Sequence, residues 1–545
     1  MIRKLLGLAF LGCAVATPVF AVSCGDDSGT GGEGGSTAPG GVGGGAVQPP
    51  APSCAPAPTG GTDVSAPELV AELSDDWHEA WLASPAVADL DGDGTMEIVT
   101  ARSGRIIAYH FDNTIVWSVD VDGRCWSSPV VADLRPDLPG LEVAEASAGN
   151  IYMFTAGGAP VPGFPYAWSD ELRSLAAGDV DGDGQLELVS VTTNNVDGDI
   201  VIAVNPDGTT VSGFPPNASG ASGCDDACYI YNGYDQNVAI GDVDGDGRSD
   251  IFATQDNAYN SLHDGTGRAF DCAPVFQGKT KFMGVRGLHD FAEAEQGYAE
   301  DEATALQAHH TNTAPAIADI DGDGVGELVY VASVQNASQE DRLKGVALWA
   351  LENDGTRPAG WETPLHFPDY LSGLWDYGDN IVAITNQVSV VELDPSRPGP
   401  EMIFAGFDGR IHAVDSQQNI LWEVSYTDSD VVGTGGVAVA DLSGDGTPEI
   451  VFTTYSTQEN YSDLFVLDGG GNLLHRVPLP GRGAMPVPTI ADADGDGALD
   501  IVVALKDSES GPQLQIYRVA SASNNCLLWP TGRGNDLRDG YLPVE

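Results

Sequence analysis

From about residue 84 to about residue 520 the chain alternates short apolar runs with acidic, glycine-bearing breaks. Segments such as SPAVADL, APAIADI and PVPTIAD lead into a break, and EIVTA, ELVSV, DIFAT, ELVYV, EIVFT and DIVVA follow one. Runs this short, rich in β-branched residues and bounded by Asp, Asn and Gly, predict strands rather than helices. Within the first unit the pattern predicts strands at Ala86–Leu90, Glu97–Ala101, Arg105–His110 and Ile115–Val121, with turns at Ser103-Gly104 and Asp112-Asn113.

The units start at Asp89, Asp133, Asp179, Asp242, Asp319, Glu392, Asp441 and Asp492, and the shortest spacings are 44, 46, 49 and 51 residues. That length fits four short antiparallel strands joined by tight turns, and it far exceeds one coil of a β-helix. The expected fold is therefore an all-β propeller of eight blades, with seven as the alternative count. The last unit shows clear strands only at Leu499–Leu505 and Gln513–Ala520, so its sheet lacks an outer partner. Glu68–Leu73 can supply it, which would seal the ring and remove an exposed edge.

Six of the breaks carry oxygen side chains at positions 1, 3, 5 and 9, glycine at position 6 and a backbone carbonyl to offer at position 7. The sets are Asp89, Asp91, Asp93, Thr95 and Glu97; Asp179, Asp181, Asp183, Gln185 and Glu187; and Asp242, Asp244, Asp246, Arg248 and Asp250. The remaining three are Asp319, Asp321, Asp323, Val325 and Glu327; Asp441, Ser443, Asp445, Thr447 and Glu449; and Asp492, Asp494, Asp496, Ala498 and Asp500. Crowded hard oxygens on a flexible loop suit Ca²⁺, whereas Mg²⁺ asks for a stricter octahedron and Zn²⁺ for nitrogen or sulfur. A plain turn needs one Asp and one Gly, and leaves unexplained four acids that repel one another in an empty loop. An EF-hand would need a bidentate acid at position 12, where the first loop has Thr100, and a helix on each side. These are strand-loop-strand sites, about six in number.

Apolar strand, acidic nonapeptide and β-branched strand together resemble the FG-GAP or VCBS repeat family over roughly residues 84 to 520. The resemblance implies a calcium-binding β-propeller, with the ligands on the six loops above, and it says little about activity. Two further breaks, DLRPDLPGLE from Asp133 to Glu142 and ELDPSRPGPE from Glu392 to Glu401, are one residue too long and contain proline. Their position-5 ligand survives only as Asp137 or Ser396 and the final acid is displaced, so no tight calcium site is expected there.

The N-terminus reads as an export address. Arg3 and Lys4 precede an apolar stretch from Leu5 to Ala21, the pattern of a secretory signal over residues 1–23. Ala21-Val22-Ser23-Cys24 resembles the lipobox of bacterial lipoproteins with alanine in place of its more usual leucine, which implies lipidation at Cys24 and anchoring at an outer membrane or cell surface. Cleavage after Ala21, releasing a soluble protein, is the alternative. Residues 24–62 are mostly Gly, Ser, Ala, Pro and Thr, the composition of a flexible tether, and residues 63–545 form the propeller region. With 80 acidic and 23 basic residues the net charge is −57, which excludes nucleic acid and leaves the lipid as the only membrane contact.

Six cysteines follow Cys24, an even number for an oxidising compartment, and Cys224 and Cys228 are the best local pair. The third, fourth and fifth repeats span 63, 77 and 73 residues, so insertions over about residues 190–391 cluster on one side of the ring. Residues 285–310 read as an acidic helix ending at His309 and His310. Arg286, His289, Asp290 and Tyr298 are candidates for a carbohydrate site. Trp349, Trp361 and Trp375 suit core packing better than sugar stacking. Asp408-Gly409-Arg410 reads as a hairpin turn. The resulting expectation is a nonenzymatic, calcium-stabilised adhesion module that recognises an extracellular protein or polysaccharide. A secreted lyase or hydrolase on the same scaffold is the rival.

Overall fold

The computed structural model describes residues 54–543, except 55, 58–59, 76–78, 194–198, 225–227, 229, 231–232, 297–304, 337–341, 373–374, 378–379, 383–385, 508–510 and 523–525. The signal segment, Cys24, most of the tether and Tyr298 lie outside the described residues. No helix among the described residues is long and apolar enough to cross a membrane.

Eight small antiparallel sheets stand in a ring, giving an eight-bladed β-propeller. The first blade comprises Ala86–Ala88, Glu97–Arg102, Arg105–His110 and Ile115–Asp120, hydrogen-bonded in chain order. The third shows three strands among the described residues, at Ala176–Gly178, Glu187–Val191 and Val201–Val204. Burial explains the sequence pattern. Every residue of Glu97–Arg102 is buried, because neighbouring blades cover both faces, whereas only Trp117 is buried in the outer strand Ile115–Asp120. Second strands therefore read as continuous apolar runs and outer strands as alternating ones.

Ring closure follows the expected route. Glu68–Leu73 pairs antiparallel with Leu514–Arg518, which pairs with Asp500–Ala504, so the last blade borrows its outer strand from the start of the propeller. Tryptophans knit blades together: Trp117 Nε1 donates to the Ala156 carbonyl at 2.8 Å, and Trp422 Nε1 to that of Gly469 at 3.0 Å. Trp349 and Trp361 are buried in the core. The hairpin at Asp408-Gly409-Arg410 is present, with Gly409 at φ +77° and Asp408 accepting the Arg410 amide.

The C-terminus builds an element absent from the sequence reading. Leu527–Trp529 pairs with Ala438–Ala440, the first strand of the seventh blade. The chain then runs through the centre of the ring as a belt. Carbonyls of Pro530, Asp536, Leu537, Asp539 and Gly540 accept amides of Ile490, Val131, Ala177, Ile240 and Ile317, from the first strands of the eighth, second, third, fourth and fifth blades. Arg538, fully buried, donates to the Pro85 and Pro129 carbonyls, to Thr531 Oγ1 and to the Gly532 carbonyl.

Several expectations are corrected. Residues 285–310 form no long helix: a single turn spans Phe291–Ala294, residues 297–304 are outside the described set, and Gln307–His309 is a strand paired with Glu327–Gln335. His309 thus lies in that strand and His310 forms a β-bridge to Asn257, where burial pushes their pKa values down to about 4 and about 3. The end of the tether is held in place. The Ala57 amide donates to the Gly444 carbonyl at 2.8 Å, the Gly61 amide donates to that of Ser443 at 3.2 Å, and Cys54 is disulfide-bonded to Cys526. Cys224–Cys228 is the second disulfide, while Cys125 and Cys272 are free.

Candidate metal centres

All six acidic loops join a blade's first strand to its second, so rotation around the ring places them at the same end of the blades. In the first loop Asp89 folds the backbone around itself. Its Oδ1 accepts the amides of Gly92 at 2.8 Å and Asp93 at 3.1 Å, and its Oδ2 accepts that of Gly94 at 2.9 Å. Gly94 has φ +91°, which an L side chain would resist. The position-7 amides donate to the position-5 carboxylates throughout: Thr95 to Asp93, Gln185 to Asp183, Arg248 to Asp246, Val325 to Asp323, Thr447 to Asp445 and Ala498 to Asp496, all within 2.7–2.9 Å.

The position-9 acid has a second task that spacing did not reveal. It turns back to accept the amide of position 2: Glu97 from Leu90, Glu187 from Val180, Asp250 from Val243, Glu327 from Ile320, Glu449 from Leu442 and Asp500 from Ala493. In the two proline-containing breaks Glu142 does the same, accepting from Arg135, and Glu401 accepts the amides of Leu393 at 2.8 Å and Asp394 at 3.4 Å. Counted back from these acids, position 3 of each break is proline, Pro136 or Pro395, and position 1 is leucine, Leu134 or Leu393. The staple persists after the ligand set is gone. Arg135 pairs with Asp137, and Arg397 with Asp394.

Carboxylates converge at five of the six acidic loops. Ligand atoms of Asp89, Asp91 and Glu97 lie within 4.8 Å of one another, as do those of Asp179, Asp181 and Glu187; Asp242, Asp244 and Asp246; Asp319, Asp321 and Glu327; and Asp492, Asp494 and Asp496. Each group could hold a metal ion. Burial, reinforced by the neighbouring aspartates, pushes the position-9 carboxyls up to about 8 in Glu187 and Asp250 and about 9 in Glu327. A divalent cation would restore the ionised form by offsetting that cost. Glu327 Oε1 is buried without a hydrogen-bond partner, so the donor set fits a hard cation.

The loops are not equivalent. At Asp441 the set has only three acids, and Asp441 and Ser443 are buried beside a strap that Ala57, Gly60 and Gly61 lay against Ser443 and Gly444. At Asp492 a protein cation already answers the charge: Arg518 lies 2.7 Å from Asp494, 2.6 Å from Asp496 and 2.9 Å from Asp500. Arg518 is the residue opposite Asp500 in the sheet register, and His110, opposite Glu97, sits 3.0 Å from it in the first blade. That cross-strand register was the signal available for finding both.

Arg286, His289 and Asp290, singled out for carbohydrate chemistry, are engaged in local contacts. Asp290 caps the short turn by accepting the Ala292 amide, and buried Arg286 bonds Gln307. His289 packs edge-on against His366 with ring centroids 5.8 Å apart.

The family model described as the FG-GAP-like repeat matches residues 441–503, from the seventh acidic break through the first strands of the eighth blade. Residues 441–503 thus carry an FG-GAP-like repeat on an eight-bladed β-propeller. Comparison with curated proteins returns no match. Among solved structures, the V. cholerae biofilm matrix protein Bap1 is 15% identical, with 88% of this chain and 96% of that chain covered and a TM-score of 0.52. The exotype rhamnogalacturonan lyase YesX is 14% identical, with 86% and 77% covered and a TM-score of 0.45. At these identities the likeness to Bap1 speaks for the fold alone, and that to YesX carries no weight.

Proposed function

We propose that this β-propeller is a nonenzymatic, calcium-stabilised binding module, exported and held at a bacterial surface through a lipid on Cys24, where it recognises a polysaccharide or protein. The observation that carries this reading is the convergence of three carboxylates at each of five loops on a closed ring. Ions seated there would neutralise one rim and fix the loops that the scaffold presents. Extracellular modules bind calcium at about 0.1 to 1 mM, and tenfold saturation contributes roughly 1.4 kcal/mol per site. Two disulfides favour an oxidising compartment. The charge of −57 turns away nucleic acid.

One observation favours the rival, a carbohydrate-active enzyme. Asp235 and Asp256, each pushed up to about 6 chiefly by burial, lie within electrostatic reach of one another, and Arg173 reaches Asp235 in turn. A single experiment separates the readings. The mature protein is titrated with neutral and acidic polysaccharides, with and without calcium, while reducing ends and unsaturated products are recorded. Saturable, calcium-dependent binding without turnover is expected. Turnover abolished by Asp235→Asn or Asp256→Asn would overturn the nonenzymatic reading.

A further inference from the structure

The C-terminal belt does not fill the centre of the ring. Between it and the first strands of the eighth, first and second blades lies a cavity of about 440 Å³. Its walls are largely apolar, with Val87, Val131 and Ile490 contributed by the blades and Leu537 by the belt. Roughly 300 to 1,000 Å³, an apolar lining and a few placed polar groups are the attributes of a small-molecule site.

The charged groups in its lining have one sign. Asp133 and Asp536 both border the cavity. The nearest cation to Asp536 is Arg538, whose Nη2 lies 3.4 Å from Oδ1. The donors of Arg538, however, are directed at the Pro85, Pro129 and Gly532 carbonyls and at Thr531. Asp536, with 35% of its side chain exposed, keeps Oδ1 without a hydrogen bond among the described residues and meets Arg538 only across that 3.4 Å. A carboxylate at the border of an apolar cavity, shielded from part of its water and given no hydrogen-bond donor by the protein, gains from a ligand that brings one. The net charge of −57 raises the local concentration of cations around the whole chain and lowers that of anions.

We propose that this cavity binds a small apolar molecule carrying a cationic amine, with its hydrocarbon body against Val87, Val131, Ile490 and Leu537 and its ammonium at Asp536. The belt supplies both part of the apolar wall and the counter-charge, so the site exists only when the C-terminus is seated.

Calorimetric titration of the full mature chain with 1-adamantylammonium, 1-adamantanol and adamantane-1-carboxylate tests the assignment. The ammonium is expected to saturate a single site at least tenfold more tightly than the carboxylate. Asp536→Asn, which keeps the shape, should erase that preference while leaving 1-adamantanol binding in place. Ala88→Leu/Ala491→Leu, which fills the cavity from two blades, should abolish binding of all three, with melting curves confirming that the variant is folded. No saturable binding, equal affinity for the carboxylate, or ammonium binding unchanged in Asp536→Asn would each overturn the proposal.

Discussion

Arg518→Met separates a loop that is neutralised from within from one that awaits an ion. Arg518 contacts Asp494, Asp496 and Asp500 at 2.6–2.9 Å, and Asp500 is fully buried while Asp496 is 44% exposed. Removing one member of a fully buried pair costs about 3–5 kcal/mol, and exposed partners contribute about 0–1 kcal/mol. With one buried and two partly exposed carboxylates, the guanidinium is worth about 2–3 kcal/mol to the metal-free loop. An incoming Ca²⁺ must forgo that amount, which weakens the site about thirty- to hundredfold, since each 1.4 kcal/mol is about tenfold. Methionine keeps most of the packing of the aliphatic stem and removes the charge. The variant is therefore expected to be less stable than the parent in chelator, to regain that loss in calcium, and to take up one additional tight calcium in equilibrium dialysis. Equal destabilisation with and without calcium, together with an unchanged titration, would refute the view that Arg518 substitutes for an ion.

Chelation of the parent protein is expected to lower its melting temperature in calorimetry, because the loops at Asp89, Asp179, Asp242 and Asp319 would lose their counter-ions together; an unchanged melt would remove calcium from the account. Arg538→Met leaves the buried Pro129 and Gly532 carbonyls without their donors and should cost about 2–4 kcal/mol in a urea titration. A shift under about 0.5 kcal/mol would show that the belt is held by its backbone bonds alone. His310 is buried, and its folded pKa of about 3 lies below the unfolded value near 6.5. The unfolded chain therefore binds the extra proton, and this group's contribution to stability is lost as pH falls from about 6.5 through about 3. His310→Asn should flatten the stability profile relative to the parent across that window, and parallel profiles would contradict the assignment. Cys54→Ser/Cys526→Ser should free the strap beside the Asp441 loop, which faster proteolysis between residues 54 and 61 would report.

Local chemistry was legible wherever the fold repeats itself. Periods of 44 to 51 residues, short β-branched runs and the missing outer strand of the last unit were enough to reach eight blades and the closing pair between Glu68–Leu73 and Leu514–Arg518. The acidic loops could be read for the same reason, since all their ligands lie within nine residues and each glycine sits where the backbone must turn. His309 and His310 were misplaced because an acidic, alanine-containing stretch carries helix propensity that a neighbouring strand overrides by pairing with Gln307–His309. What distinguishes one loop from another was not local at all. Arg518 reaches the Asp492 loop from the adjacent strand, the strap reaches the Asp441 loop from nearly four hundred residues earlier, and the belt joins its last residues to the first strands of five blades. The sequence by itself determined the blade, its acidic corner and the closed ring, because short-range periodicity and hydrogen-bond geometry specify them. Only the tertiary structure decided which corners remain open to an ion and what occupies the centre, because those depend on side chains and termini brought together across hundreds of residues by packing.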